Sequence, residues 1–118
     1  MKETSFDPAA HTAESRDIWN ETAERYEKLS NSLFAKTAEE FVDFAGLRKK
    51  WRVLDVACGP GIASRAAAAK IDEKGSVLAV DLAPGMLARA RLAPVPKRTA
   101  PIEYAEMDVH DLPLETGS

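Results

Sequence analysis

Apolar residues along the 118-residue chain fall into two rhythms, one helical and one extended. Ile18, Trp19, Ala23, Tyr26 and Leu29 recur at helical spacing with charged side chains between them, which predicts a helix with one apolar stripe. Ser30-Asn31-Ser32 supplies a break and a new N-cap, after which Phe34, Ala38, Phe41, Val42 and Ala45 repeat the spacing. Gly46 stands where a left-handed C-cap belongs, so a second helix is expected to end there. Residues 1–11, with Pro8 and no sustained period, read as a loose arm.

Beyond Gly46 the rhythm changes. Arg52 to Ala57 is short, β-branched and nearly continuous in apolar residues, the pattern of a strand buried on both faces of a parallel sheet. An alanine-rich helix is predicted from Gly61 to about Ile71, a turn at Glu73-Lys74-Gly75, and a second buried strand from Ser76 to Asp81. Pro84 suits the first turn of a helix running to Leu92. The three prolines of APVPKRTAP forbid a helix there, and Ile102 to Asp108 alternates like a half-exposed edge strand. The order helix, helix, β-α-β-α-β predicts an α/β fold with a parallel sheet of about three strands in the order 3-2-1, and ligands belong at the carboxyl ends of those strands.

Composition narrows the partners. Hydrophobic residues make up 45% of the chain and charged ones 30%, enough apolar mass for one globular core. Nineteen acidic against 16 basic side chains give a net charge of −3, with the cations scattered, so nucleic acid and anionic membranes are not expected partners. No apolar run approaches the ~20 residues of a bilayer span and no secretion signal is visible, so a cytoplasmic address is expected. The single cysteine, Cys58, excludes an internal disulfide and a CxxC pair.

Three features fall at three successive strand ends. The turn Ala57-Cys58-Gly59-Pro60-Gly61 lets backbone approach a ligand closely, and the helix start behind it favours a carboxylate or phosphate. Asp81 lies about 20 residues beyond the turn, where an acid in such folds accepts from two ribose hydroxyls. Asp108 can accept from an exocyclic amine such as that of adenine. Together they outline an adenosine with a short charged tail. A dinucleotide such as NAD is the rival, because GPGIAS is close to GxGxxG. Asp55 inside the strand and Ser64 in place of the third glycine argue against it.

Cys58 has no evident basic partner and reads as a small turn residue. Asp108-Val109-His110-Asp111 reads as a polar loop, no metal site is expected, and His11 reads as an exposed bystander. Trp19 and Trp51 are expected to pack helices onto the sheet.

VLDVACGPG, VLAVDLAPGMLARAR and AEMDVHDLPL closely resemble the three successive motifs of class I S-adenosylmethionine-dependent methyltransferases, particularly the small-molecule branch with the ubiquinone and menaquinone enzymes. WNETAERYEKL is similar to the helix that covers the cofactor in that family. The resemblance runs from Trp19 to Leu114 and implies a Rossmann-like fold, S-adenosylmethionine as cofactor and a small organic methyl acceptor. It implies that Asp55 supports the methionine amino group, directly or through water, and that Ala57, Cys58, Gly59 and Gly61 present backbone to the methionine portion. It further implies that Asp81 takes the ribose hydroxyls, Leu82 and Met86 pack on adenine, Asp108 and the Val109 backbone meet the adenine edge, and Tyr26 closes over the methionine end. No catalytic residue is assigned.

The resemblance also implies four further strands, the first of which would pair with the free side of Arg52–Ala57. The expected organisation is thus one shortened domain over 1–118, with an arm and cap helices over 1–50 and a cofactor-binding half over 51–118. An open edge on the first strand would recruit a second copy or a partner chain. A shortened, non-catalytic binding or assembly module is the second functional expectation.

Overall fold

The computed structural model describes residues 5–118, so residues 1–4 of the expected arm lie outside the described residues. Helix α1 runs from Pro8 to Ala45. Asp7 caps it, its carboxylate accepting from the Ala9 and Ala10 N–H groups at 3.0 and 3.3 Å, and Pro8 supplies a preset first turn. The arm expected over 1–11 therefore gives way to helix from Pro8 onward. Gly46 closes the helix in the left-handed region at φ 66°, as its position predicts.

The two expected helices are one. Ser30 lies inside α1, 1% exposed, its hydroxyl donating to the Glu27 carbonyl within the helix. Serine and asparagine are only mildly unfavourable in a helix interior, and neither removes a backbone donor as proline would. At ~1.5 Å per residue its 38 residues span about 57 Å, which matches the molecule's 57 Å long axis.

Strands β1 (Arg52–Val56), β2 (Ser76–Asp81) and β3 (Ile102–Glu106) pair in parallel in the order β1-β2-β3. Helices α2 (Ile62–Lys70) and α3 (Pro84–Leu92) connect them. The register sets Val53, Val77 and Ile102 in one row and Asp55, Ala79 and Tyr104 in the next. Both rows face the helices, where Val77 and Ala79 pack with Ala67, Ala68, Ile71 and Leu87. Alanine at so many of these positions lets α2 and α3 approach the sheet closely.

Strand β1 is not buried on both faces as its composition predicts. It forms the sheet edge, and Leu54 and Val56 point away from the helices, 43% and 37% exposed. Strand β3 is two residues shorter than expected, leaving Asp108 in the loop beyond it.

Helix α1 packs across α2 and α3. Glu27 holds Arg89 of α3 through two bonds, at 2.9 and 3.2 Å, and Asp43 pairs with Lys70 of α2. Ala83 caps α3 without a side-chain bond, and Asn20 of α1 takes over, its side-chain oxygen accepting from the Gly85 N–H at 2.7 Å. A Cβ on Gly85 would stand 3.1 Å from the Asn20 backbone, so glycine permits this crossing. The N-terminal half of α1 thereby reaches over the carboxyl ends of the strands.

Candidate functional site

Where β1 gives way to α2, Ala57, Gly59 and Gly61 all take positive φ, at 56°, 54° and 84°. Two are glycines, for which this region is open, while Ala57 adopts it against the steric preference of an L-residue. Three N–H groups of the turn have partners within the protein. Cys58 donates to the Val80 carbonyl at 3.0 Å, Gly59 to Asp81 Oδ2 at 2.8 Å, and Gly61 to the Cys58 carbonyl at 3.1 Å. Gly61 caps α2 with no side chain, so it supplies no side-chain acceptor for the first amides of that helix.

Asp81 joins the turn to the next element. Its other oxygen, Oδ1, accepts from the Ala83 N–H at 2.9 Å, so one carboxylate braces both the glycine turn and the start of α3. Asp108 accepts from the backbone N–H of His110 at 2.9 Å and meets its ring Nδ1 at 2.8 Å, both at Oδ1. The His110 N–H, followed by its ring, holds the Asp108 carboxyl below the usual range, so it is ionised at neutral pH.

Asp81 and Asp108 line a cavity of ≈ 370 Å³ at the carboxyl ends of the strands, with α1 over it. Of the positions picked out from the sequence, Tyr26, Ala57, Gly59, Asp81, Leu82, Met86, Asp108 and Val109 all line it. Asp55, Cys58 and Gly61 do not. Asp55 lies on the helix side of the sheet beneath the turn, accepting from the Ser64 hydroxyl at 2.5 Å. Burial pushes its carboxyl above the ordinary range; the Ser64 bond opposes that rise and the charge of Asp81 adds to it. Cys58 is buried, and burial reinforced by Asp55 and Asp81 pushes its thiol up to about 12, so it carries no thiolate at neutral pH.

The cavity also takes residues to which the sequence assigns another role or none. Both histidines of the chain, His11 and His110, stand at this cavity, as do Thr12, Ser15 and Trp19. Trp19 is 46% exposed and meets Tyr26 edge-on, with ring centroids 5.4 Å apart. It walls the cavity instead of packing a helix onto the sheet. Trp51 is equally exposed, with the Arg48 guanidinium 5.9 Å from its ring centroid. Helix spacing places His11, Ser15 and Trp19 one turn apart along α1, a signal that becomes readable once the helix is known to start at Pro8.

Comparison with known proteins agrees with this geometry. Residues 53–118 match a family model described as a methyltransferase domain. No match is found among curated proteins. The methyltransferase of a Haloferax volcanii complex with the Trm112 methyltransferase activator matches with a TM-score of 0.66 and 23% identity, over 85% of this chain and 42% of its own. A Methanococcus maripaludis protein described as an S-adenosyl-L-methionine-dependent methyltransferase matches with a TM-score of 0.61 and 24% identity, over 98% of this chain and 49% of its own. At these identities the two structures establish a shared fold, and the chain spans less than half the length of either.

Proposed function

The chain belongs to the methyltransferase domain family, and on that premise we propose that its cavity binds S-adenosylmethionine and serves methyl transfer to a small organic acceptor. The observation that carries this reading is the bonding of Asp81. A carboxylate offers about four acceptor positions. Two are taken by Gly59 and Ala83, one on each oxygen, which leaves two for the adjacent hydroxyls of a ribose.

The other residues fit the same ligand. Asp108 Oδ2 remains for the adenine amine, the Val109 backbone for a ring nitrogen, and Leu82 and Met86 for the adenine faces. Tyr26 and the backbone of Ala57 and Gly59 would border the methionine portion, with Trp19 beside Tyr26 excluding water. Gly61, Cys58 and Asp55 act from beneath as supports of the turn, Asp55 reaching the methionine amine only through water. When bound, S-adenosylmethionine would supply a methyl group on a positively charged sulfur for transfer to a nucleophilic lone pair, the carbon–sulfur electrons returning to sulfur.

The motif resemblance to ubiquinone and menaquinone methyltransferases supports a small organic acceptor. The exposed Leu54 on the β1 edge supports pairing of that edge with a second copy or another polypeptide. Trp19 lines the cavity, so its fluorescence reports occupancy. Titration with S-adenosylhomocysteine is expected to change it saturably and titration with NAD to leave it unchanged; the reverse order would overturn the cofactor assignment.

A further inference from the structure

Asp81 and Asp108 line the same cavity but are held in different ways. Asp81 ends β2, and backbone N–H groups from two connections fix both of its oxygens. Asp108 lies in the loop beyond β3, and its two side-chain bonds both end on Oδ1. Both come from His110, one from its backbone N–H at 2.9 Å and one from its ring Nδ1 at 2.8 Å. His110 itself lines the cavity.

An ionised carboxylate only accepts, so Nδ1 carries the proton in this pair whether the ring is neutral or charged. Two donors on one oxygen fix the rotation of the carboxylate and leave Oδ2 for a ligand. The sheet order sets the glycine turn after β1 and Asp108 after β3, two strand spacings or about 10 Å apart. If the charged tail of an adenosyl ligand lies at the turn, Asp108 meets its purine edge, away from any transferred methyl. Adenine offers a donor amine and an acceptor N1 at that edge, and a 6-oxo purine reverses both. A mobile carboxylate could turn away from the oxo oxygen; a fixed one could not.

We propose that His110 is a positioning residue, whose ring holds the Asp108 carboxylate so that the cavity selects adenine over a 6-oxo purine. The assignment rests on the reading of this cavity as the S-adenosylmethionine site. His110 acts through Asp108 and touches no reacting atom.

The test is calorimetric titration of S-adenosylhomocysteine and S-inosylhomocysteine, its 6-oxo analogue, into the full chain and two variants. The wild type is expected to prefer the adenine ligand at least tenfold. The His110 side chain is 79% exposed, so its replacement leaves the core untouched. His110→Ala removes the ring donor and keeps the backbone one. It is expected to weaken S-adenosylhomocysteine about three- to tenfold while the 6-oxo ligand loses nothing, so the preference shrinks by the same factor. His110→Asn, which restores a side-chain N–H near the place of Nδ1, is expected to keep the preference within twofold of wild type. Equal loss of both ligands in His110→Ala, no loss of either, or His110→Asn behaving like His110→Ala overturns the positioning role and leaves the cofactor reading standing. Equal binding of the two ligands by the wild type does the same. Failure of the wild type to bind S-adenosylhomocysteine overturns the cofactor reading and the positioning role together.

Discussion

Gly61 shows how tightly the turn is fitted at the residue scale. A Cβ there would meet the Arg65 guanidinium at 2.8 Å, the Tyr104 hydroxyl at 2.9 Å and the Ala90 methyl at 3.3 Å, at a φ that disfavours any side chain. Gly61→Ala is expected to destabilise the fold by about 1–3 kcal/mol in urea denaturation. Ala57 makes the opposite case, since its φ of 56° suits glycine better. Removing its steric penalty outweighs the entropy glycine loses, so Ala57→Gly is expected to stabilise by on the order of 0.5 kcal/mol. Asp55 carries a pH signature. Its carboxyl is raised by burial, so above about pH 4 the native state retains a proton that the unfolded chain has released. That contribution is full below the unfolded value and is lost as pH rises through the folded one. Asp55→Asn keeps an acceptor for Ser64 and is expected to flatten this part of the stability profile, measured by urea midpoints from pH 4 upward. The glycines, Asp81 and Asp108 were legible in the sequence because each is a polar or small residue at a strand end. The direction of Asp55 was not. Parity puts it on the same face as Val53, but which face the helices cover depends on α2 and α3, which lie outside the strand.

At the scale of elements, α1 does most to shape the site. Its Asn20 takes the place of the side-chain cap that Ala83 cannot give to α3. Asn20→Ala is expected to cost about 1 kcal/mol, read as a lower thermal midpoint and faster amide exchange at Gly85. Strand and helix order from β1 to β3 could be read from apolar period and proline placement, because those segments are short and each rhythm is clean. The long helix could not. Ser30-Asn31-Ser32 has the composition of a break, yet continuity is decided by packing of α1 across α2 and α3, where Ser30 is buried. The Asp7-Pro8 start was a local signal, a capping acid before a proline. Recognising it moves His11 from an arm onto the wall of the cavity.

The molecule as a whole is a sheet with its helices on one face. Helices α2 and α3 pack against the Val77 and Ala79 rows, α1 lies across the helices, and Leu54 and Val56 meet water on the edge strand. Edge strands with exposed apolar side chains associate, so sedimentation of the chain is expected to show concentration-dependent self-association that Leu54→Lys reduces. A monomer across the whole range would contradict this. The same architecture gathers three strand ends under one helix, and the account of function depends on what that place binds. Calorimetric titration of S-adenosylhomocysteine into the wild-type chain and Asp81→Ala, with folding of the variant checked by circular dichroism, tests it most directly. Loss of two charge-assisted hydrogen bonds is expected to weaken binding by about a hundredfold or more in the variant. Equal affinity in the two proteins, or no binding to the wild type, would contradict the account.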